Sequence, residues 1–563
     1  MSKFNKVSKD KDLTTNYEGE KAWVLSDDMA LYTRVCTCIL NGQFYTPDFN
    51  DELNRIRSLI RKVDPMFVAQ LAIYARREMN LRSIPLVLAV ELAKVHKGDS
   101  LIRRLSFNVI QRADEITEML SYYVAANGRK KKSADDKVLG AISKQLAKGI
   151  ADAFHKFDEY QFKKYDASNK DIKIKDALFL THPKPQNEAE KLLFKKIANS
   201  ELSKASTWET ASSDMGQKVA QAAKDDGLTE SQKNELKSKS AKDMWERKID
   251  ARGKGEIGYM ALLRNLSNFL KYDVSDEHIV KVAERLSNKD EVLRSKQLPF
   301  RFVTAHRILR NVCNSDALPG NEVGRFYYNK PNFDNGLNLK RTMNDVANPK
   351  ASILIDALEE AVKHACTNIP SFDFDTKVLI ASDVSGSMQK PISDESVLQC
   401  YDIGLALSMM LHYKCKVVSA GMFGDDFMVV PMPKDQILRN VDEMHQLEGY
   451  VGYSTNGYLV IDYAIKASEK GICFDKVFIF SDNQLWNSKS DLSHINKQWT
   501  KFKKMAPKAK LYIFDLGGYG TSPVNLKQND VFLIAGWSEK IFDMLRMLDE
   551  GATALDTIKK IEV

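Results

Sequence analysis

The sequence lacks the features that mark membrane-spanning, secreted and disordered proteins. It has no run of about 18 apolar residues that could cross a bilayer, and its polar first 21 residues contain no apolar signal segment. Seven Cys in 563 residues are too few for a disulfide framework, and the close pair Cys36 and Cys38 lies in an apolar run, so we expect buried thiols. With 44% hydrophobic and 28% charged residues, the chain is predicted to be globular. We expect it in the cytosol.

Familiar catalytic signatures are missing as well. The sequence contains no P-loop, no HExxH motif and no CxxC pair, and its nine His show no metal-ligand spacing. No nucleophile stands at a recognisable spacing from a general base. We therefore predict that the protein is not an enzyme.

Positive charge is concentrated in the first two-thirds of the chain. Residues 371–563 carry 21 Lys and Arg against 25 Asp and Glu, a net charge of −4. Because the whole chain has a net charge of +8, residues 1–370 carry +12. A polyanion is the natural partner of such a region, because phosphate neutralisation releases counterions. A merely soluble basic surface is the alternative that composition leaves open.

Residues 27–365 are predicted to be helical throughout. Segments such as DPMFVAQLAIYARREM and LIRRLSFNVIQRADEITEMLSYYVAA place apolar residues at i, i+3, i+4 and i+7. Asp64 before Pro65, and Ser83 two residues before Pro85, are expected to cap helix starts. Consecutive amphipathic helices with short loops indicate an α-solenoid of HEAT-like repeats, although an irregular bundle remains an alternative.

Three stretches depart from this pattern. Residues 1–26 are predicted to form an N-terminal arm. The basic stretch from Gly128 to Lys137 is a loop that is either a solvated turn or a phosphate contact, with Arg129 and Lys130 as its candidates. Residues 204–242 are rich in Ser, Lys, Asp and Gln, and are predicted to be an exposed helical hairpin or insertion.

From Thr376 onward short apolar runs alternate with helices. TKVLIASD, KVVSAGMF, KVFIFSD, KLYIFD and DVFLIA are predicted strands, which indicates a doubly wound, mainly parallel α/β domain. In such sheets ligands bind at the carboxyl ends of the strands. Oxygen-bearing residues stand at those ends in this sequence.

The loop after the first strand predicts a metal site. Asp383, Ser385 and Ser387 alternate with other residues, so one carboxylate and two hydroxyls can project together. Thr455 and Asp482 follow in later loops at the same sheet edge. Oxygen ligands of this kind suit Mg²⁺ or another divalent cation, although Asp and Ser also build ordinary turns.

This D-x-S-x-S, Thr, Asp pattern resembles the metal-ion-dependent adhesion site of von Willebrand factor type A domains. The resemblance implies an A-type domain over residues 366–563. It also implies a Mg²⁺ ion whose open coordination position binds a partner's carboxylate instead of activating water.

Three helical stretches carry a second resemblance. Ala147–Pro185, Gly258–Leu270 and Leu298–Leu309 look like the TROVE module of the Ro autoantigen family, whose members are RNA-binding proteins of ribonucleoproteins. The resemblance implies a TROVE domain over residues 27–365 that forms a ring closed by the A domain. It further implies a monomer that binds small noncoding Y RNA outside the ring and single-stranded 3′ ends of misfolded RNA in its hole. Bacterial relatives cooperate with a 3′-to-5′ exoribonuclease.

The first of those stretches supplies the candidate RNA-binding residues. Lys164 and His182 are carried over from the matching TROVE stretch, and the neighbouring cations are candidates for phosphate contact. Tyr160, Phe162 and Tyr165 interleave with them, as does Phe179, and we expect three of these four aromatics to be packing residues. The full set of candidate RNA ligands is Lys163, Lys164, Lys170, Lys173, Lys175, His182, Arg129 and Lys130.

The sequence thus predicts an RNA-binding Ro-type protein acting in RNA quality control, with a Mg²⁺ site in its A domain. The alternative is a metal-dependent protein-interaction scaffold that has no RNA ligand. We expect Arg264 to have a structural or cavity-lining role.

Overall fold

A computed structural model describes residues 13–16, 21–38, 47–127, 142–166, 171–314, 348–392, 396, 398–485, 494–527, 530–549 and 553–563. These residues form a long helical array followed by an α/β domain. Within the described ranges, no helix is both long enough and apolar enough to cross a membrane.

The helical array begins near residue 27, as the apolar periodicity predicts. Its apolar faces form one continuous core in which side chains such as Phe67 and Phe154 are almost fully buried. The helices are α1 Asp27–Thr37, α2 Pro47–Ile60, α3 Pro65–Arg77, α4 Ser83–Val95, α5 Leu101–Val109, α6 Ala113–Ala126, α7 Lys144–Ala153, α8 Glu159–Tyr165, α9 Ile174–Thr181, α10 Glu188–Asn199, α11 Trp208–Asp225, α12 Glu230–Asp250, α13 Tyr259–Arg264, α14 Leu266–Lys271, α15 Asp276–Leu286, α16 Lys289–Ser295, α17 Pro299–Asn314 and α18 Pro349–Ala365.

Local hydrogen bonds show that one of the two predicted helix caps forms and the other does not. Asp64 caps α3 as expected, because its carboxylate accepts a hydrogen bond from the Phe67 N–H at 3.0 Å. The prediction for Ser83 was wrong: Ser83 is the first residue of α4, and its hydroxyl donates to Glu118 instead.

The apolar stretch 101–126 is broken into two helices. Arg112 is extended, with φ −140° and ψ 151°, immediately before α6. The Glu115 carboxylate accepts hydrogen bonds from the backbone N–H groups of Gln111 and Arg112, at 2.7 and 3.0 Å. A glutamate that turns back onto the first N–H groups starts a new helix, although the apolar period of the sequence continues across the break.

The stretch rich in Ser and Lys contains α11 and α12, which pack against each other. Trp208 stacks on Trp245 with ring centroids 5.6 Å apart, and Trp245 is buried against Phe269. The base of the pair is therefore anchored in the array.

The α/β domain contains the sheet that the alternating pattern predicts. Its strand order is β5-β4-β3-β6-β7-β9, all parallel except for the antiparallel pair β4 and β5. The strands are β3 Phe372–Asp383, β4 Cys415–Phe423, β5 Phe427–Val429, β6 Lys476–Ser481, β7 Lys510–Asp515 and β9 Val531–Ala535. The helices are α19 Cys400–Lys414, α20 Ile437–Leu447, α21 Tyr458–Glu469, α22 His494–Met505, α23 Asp543–Asp549 and α24 Ala554–Lys559.

The N-terminal arm contains strands that the sequence did not reveal. Strands β1 (Leu13–Thr15) and β2 (Lys21–Val24) are antiparallel, and β2 pairs with β8 (Thr521–Ser522) of the α/β domain. The arm therefore belongs to a small sheet shared with the far end of the chain.

Both ends of the helical array pack on the α/β domain. At the first end, the Ala535 N–H donates to the buried Tyr32 hydroxyl at 2.9 Å, and Arg34 donates to the Tyr519 carbonyl at 2.8 Å. At the other end, α17 and α18 contact α19 and α20. The array thereby closes into a ring through the α/β domain.

Candidate metal site and nucleic-acid interface

Hydrogen bonds hold the first predicted metal loop at the end of β3. Asp383 is 1% exposed, and its carboxylate accepts hydrogen bonds from the Ser385 N–H at 3.0 Å and from the Ser481 hydroxyl at 2.6 Å. The Ser385 and Ser387 hydroxyl oxygens lie 3.3 Å apart. The spacing in the sequence therefore does bring these three side chains together.

The second and third loops meet the first at the same edge of the sheet. Asp482 follows β6 directly and is buried, with its Oδ1 accepting from the Gln484 N–H at 3.0 Å. Thr455 is 7% exposed in a loop that the first loop contacts, because the Gly386 N–H donates to the Tyr453 carbonyl at 3.0 Å. Thr455 precedes α21 by a short turn.

Burial disfavours the ionised form of the carboxylates at this edge. Burial, together with the negative charge of Asp482, raises the pKa of Asp383 to about 7. Hydrogen bonds from Ser385 and Ser481 oppose the rise. A cation placed among these oxygens would stabilise the ionised forms.

The donor set fits a hard cation. It supplies two carboxylates and three hydroxyls, and no nitrogen or sulfur, which is the chemistry that Mg²⁺ prefers. In the part of the chain that the structure describes, no group of three or more His, Cys, Asp and Glu side chains is arranged to hold a metal. A metal at this edge therefore needs the Ser and Thr hydroxyls as well as the carboxylates.

A third carboxylate at this edge escaped the sequence prediction. Asp515 ends β7 and is fully buried, and its Oδ1 accepts from the N–H groups of Gly517 and Gly518 at 2.9 and 2.8 Å. Burial first, and the negative charge of Asp482 to a smaller extent, raise its pKa to about 7. The signal was present, because KLYIFD ends in a carboxylate as TKVLIASD does.

The predicted RNA-binding cations lie on α8, α9 and the turn after α9. Lys164 and Lys173 are exposed, Lys163 and Lys175 are half-buried, and His182 is exposed at the end of α9. His182 takes a left-handed conformation, with φ 49°, which turns the chain before Pro183. The candidates Lys170, Arg129 and Lys130 lie outside the described residues.

The interleaved aromatics divide as the periodicity predicts. Phe162 is fully buried against Phe154, with ring centroids 5.5 Å apart, and Tyr160 and Tyr165 are half-buried. Phe179 differs, because 53% of it is exposed.

Arg264 is exposed at the end of α13, close to Arg301 of α17. Burial lowers the pKa of Arg301, and the positive charge of Arg264 lowers it further. Two cations therefore face each other where the sequence singled out only one.

A buried charge network joins α17 to the α/β domain. Arg307 is 4% exposed and donates to both oxygens of Asp402 at 2.8 and 2.7 Å, and to Asp442 at 3.0 Å. Arg310 also donates to Asp442, at 3.0 Å. Burial alone would raise the pKa values of both aspartates, but nearby cations hold them below their usual range: Arg307 foremost for Asp402, and His306 ahead of Arg307 for Asp442.

The helices form a ring, and an α/β domain of the A type closes it. This architecture defines a class of ring-shaped, two-domain proteins. Comparison with known families assigns the chain within that class. Residues 50–240 and 228–373 match the TROVE domain, and residues 377–548 match the Ro60 vWA domain. The chain belongs to the TROVE family of Ro proteins, whose members bind RNA. Neither matched family is catalytic.

Individual relatives are distant. The structure resembles the crystal structure of the Deinococcus radiodurans RO (RSR) protein, with a TM-score of 0.52, 18% identity, and coverage of 92% of this chain and 99% of that one. Telomerase protein component 1 from Rattus norvegicus is 24% identical over 339 residues, and that from Mus musculus is 24% identical over 344. Each match covers 49% of this chain but only 12% of the much longer relative.

Proposed function

We propose that this chain is the protein of a cytoplasmic Ro-type ribonucleoprotein that acts in RNA quality control. It binds a small noncoding RNA of the Y type on the basic outer surface of the ring, and single-stranded 3′ ends of misfolded RNA in the ring's opening. It catalyses no reaction itself, and a 3′-to-5′ exoribonuclease is its proposed protein partner.

The joint occurrence of a TROVE domain and a Ro60-type A domain in one chain carries the proposal. Two independent observations support it. Residues 1–370 carry a net charge of +12, and Lys164, Lys173 and His182 are exposed on neighbouring elements of the array. The name of the rodent relatives, telomerase protein component 1, also agrees with association with RNA.

We also propose that Asp383, Ser385, Ser387, Thr455 and Asp482 hold Mg²⁺ or another divalent cation. When bound, the ion would offer an open position to an acidic side chain of a partner. The buried all-oxygen donor set supports this, and it also favours a second candidate function for the whole chain, a metal-dependent protein scaffold without RNA.

The first experiment is to purify the protein from its native cell and to sequence the RNA that accompanies it. We expect one abundant small stem-loop RNA that high salt releases, because phosphate contacts weaken as salt rises. Recovery of no RNA, together with one stoichiometric protein that is lost on chelation, would favour the scaffold instead.

The second experiment locates the RNA surface. Replacing Lys164 and His182 together with Ala should weaken binding of the recovered RNA and flatten the dependence of log K on log salt, since each lost phosphate contact lowers the slope by about 0.7 to 0.9. The matched control is Lys233→Ala, because Lys233 lies on α12 and is paired with Glu230 at 3.1 Å. Unchanged affinity in the double variant would place the RNA surface elsewhere.

A further inference from the structure

Phe179 is the most exposed aromatic side chain in the part of the chain that the structure describes. Phe179 is 53% exposed, which leaves a large apolar surface in water and costs stability unless something covers it. Its helix does not need the ring for packing, because Ile174 and Ala177 are the buried residues of α9, together with Thr181. Leu178 and Leu180, on either side of Phe179, pack partly against the core.

Lysines and a histidine lie close to Phe179 along the chain. Lys175 is one helical turn before Phe179 and therefore on the same face of α9. His182, three residues after it, is exposed at the left-handed end of the helix, and Lys184 is exposed just beyond. Lys173, at the start of α9, is also exposed.

We propose that Phe179 is a stacking platform for an unpaired base of RNA, flanked by cations that hold the adjoining phosphates. An exposed aromatic face with lysines beside it matches a single-stranded nucleotide, which presents an apolar base next to an anionic phosphate. This inference rests on the proposed function, and it adds base stacking, which the lysines alone do not supply.

Base stacking and phosphate contact respond differently to salt. Stacking onto one aromatic ring contributes an affinity that depends little on salt, whereas each phosphate contact steepens the salt dependence. Loss of the ring is expected to weaken binding about 5-fold to 150-fold, the range measured for one stacked base.

The test uses the full-length protein and a single-stranded RNA of about 12 nucleotides, a length within the usual site size of such proteins. Binding is measured over a series of salt concentrations for the wild type and for Phe179→Ala, Phe179→Leu and Phe179→Trp. A second RNA has the same backbone but carries base-less riboses. Val280→Ala on α15 is the control for loss of an exposed apolar side chain, since Val280 is 43% exposed.

If Phe179 stacks on a base, Ala and Leu weaken binding at every salt concentration and leave the salt slope parallel to that of the wild type, while Trp restores affinity. The wild type then binds the base-less RNA more weakly than the normal RNA, and Phe179→Ala no longer distinguishes the two. Equal binding by the wild type and all three variants would overturn the stacking role and leave the proposed function standing. Failure of the wild type to bind any RNA would overturn both. RNA binding by Phe179→Leu equal to that of the wild type would show an apolar contact that needs no aromatic ring, and would overturn the stacking role.

Discussion

Arg307 is the residue whose removal tests how the ring is closed. Its guanidinium makes three hydrogen bonds of 2.7 to 3.0 Å to Asp402 and Asp442, in a site where all three side chains are at most 5% exposed. Removing one partner of a buried pair typically costs about 3–5 kcal/mol, because the remaining charge stays buried without compensation.

The remaining partners place the expected cost near the lower end of that range. Asp402 keeps the Gln399 N–H at 2.8 Å and His445 at 3.0 Å. Asp442 keeps Arg310, also at 3.0 Å. We therefore expect Arg307→Met, which preserves much of the side-chain volume, to lower the free energy of unfolding by about 3 kcal/mol at pH 7.

Urea unfolding followed by circular dichroism measures this loss. Adding Asp402→Asn to the Arg307→Met variant should recover part of the loss, because it removes one unpaired buried charge. Arg301→Met is the control on the same helix, since Arg301 faces another cation, and it should change stability by less than about 1 kcal/mol. A loss below about 1 kcal/mol for Arg307→Met would refute the reasoning.

The same network predicts a dependence on pH. The pKa values of Asp402 and Asp442 are lowered in the folded protein, so their contribution is complete above the unfolded pKa of about 4 and is lost as the pH falls through the folded values. The difference in unfolding free energy between the wild type and Arg307→Met should therefore stay nearly constant from pH 7 down to about 5 and shrink as the pH falls below about 4. A difference that is constant with pH would contradict the charge argument.

Two further predictions concern the metal site and the packing of the array. Asp383→Ala should abolish Mg²⁺ binding to the protein, measured by titration calorimetry, while leaving structured-RNA binding largely intact; equal loss of both would contradict separate sites. Gly149→Ala should lower the free energy of unfolding by about 1–3 kcal/mol, because a Cβ there would lie 2.5 Å from the Arg103 carbonyl oxygen and 2.6 Å from Ser106 Cβ. Gly216→Ala is its control, since open space surrounds that position, and a similar loss in both variants would show that packing is not the cause.

The α/β domain was predictable because most of its strands are short, continuous apolar runs. The stretches 378–383 and 511–515 are buried, so neither alternation nor long-range information was needed to find them. Strand β5 was missed because it is only three residues long, although Phe427, Met428 and Val429 are all apolar. The short arm strands were missed because their pairing with Thr521 and Ser522 links segments about 500 residues apart.

The candidate metal site was predictable for a related reason. Asp383 and Asp482 stand at the ends of the neighbouring strands β3 and β6, and the order of strands in a doubly wound sheet places them together. The interdomain network had no such signal, since Arg307 is 95 residues from Asp402 and 135 from Asp442. The break at Arg112 was hidden by an apolar period that continues across it.

Closure of the ring through the C-terminal domain also orders events during synthesis. The partner of Tyr32 is Ala535, 503 residues later, so the first helix cannot reach its final contact until almost the whole chain has been made. At about 5–20 residues per second, roughly 10–40 s pass between completion of α17 and the appearance of Ala535. During that interval α1 lacks its contact with Ala535, so the ring cannot yet be closed at that end of the array.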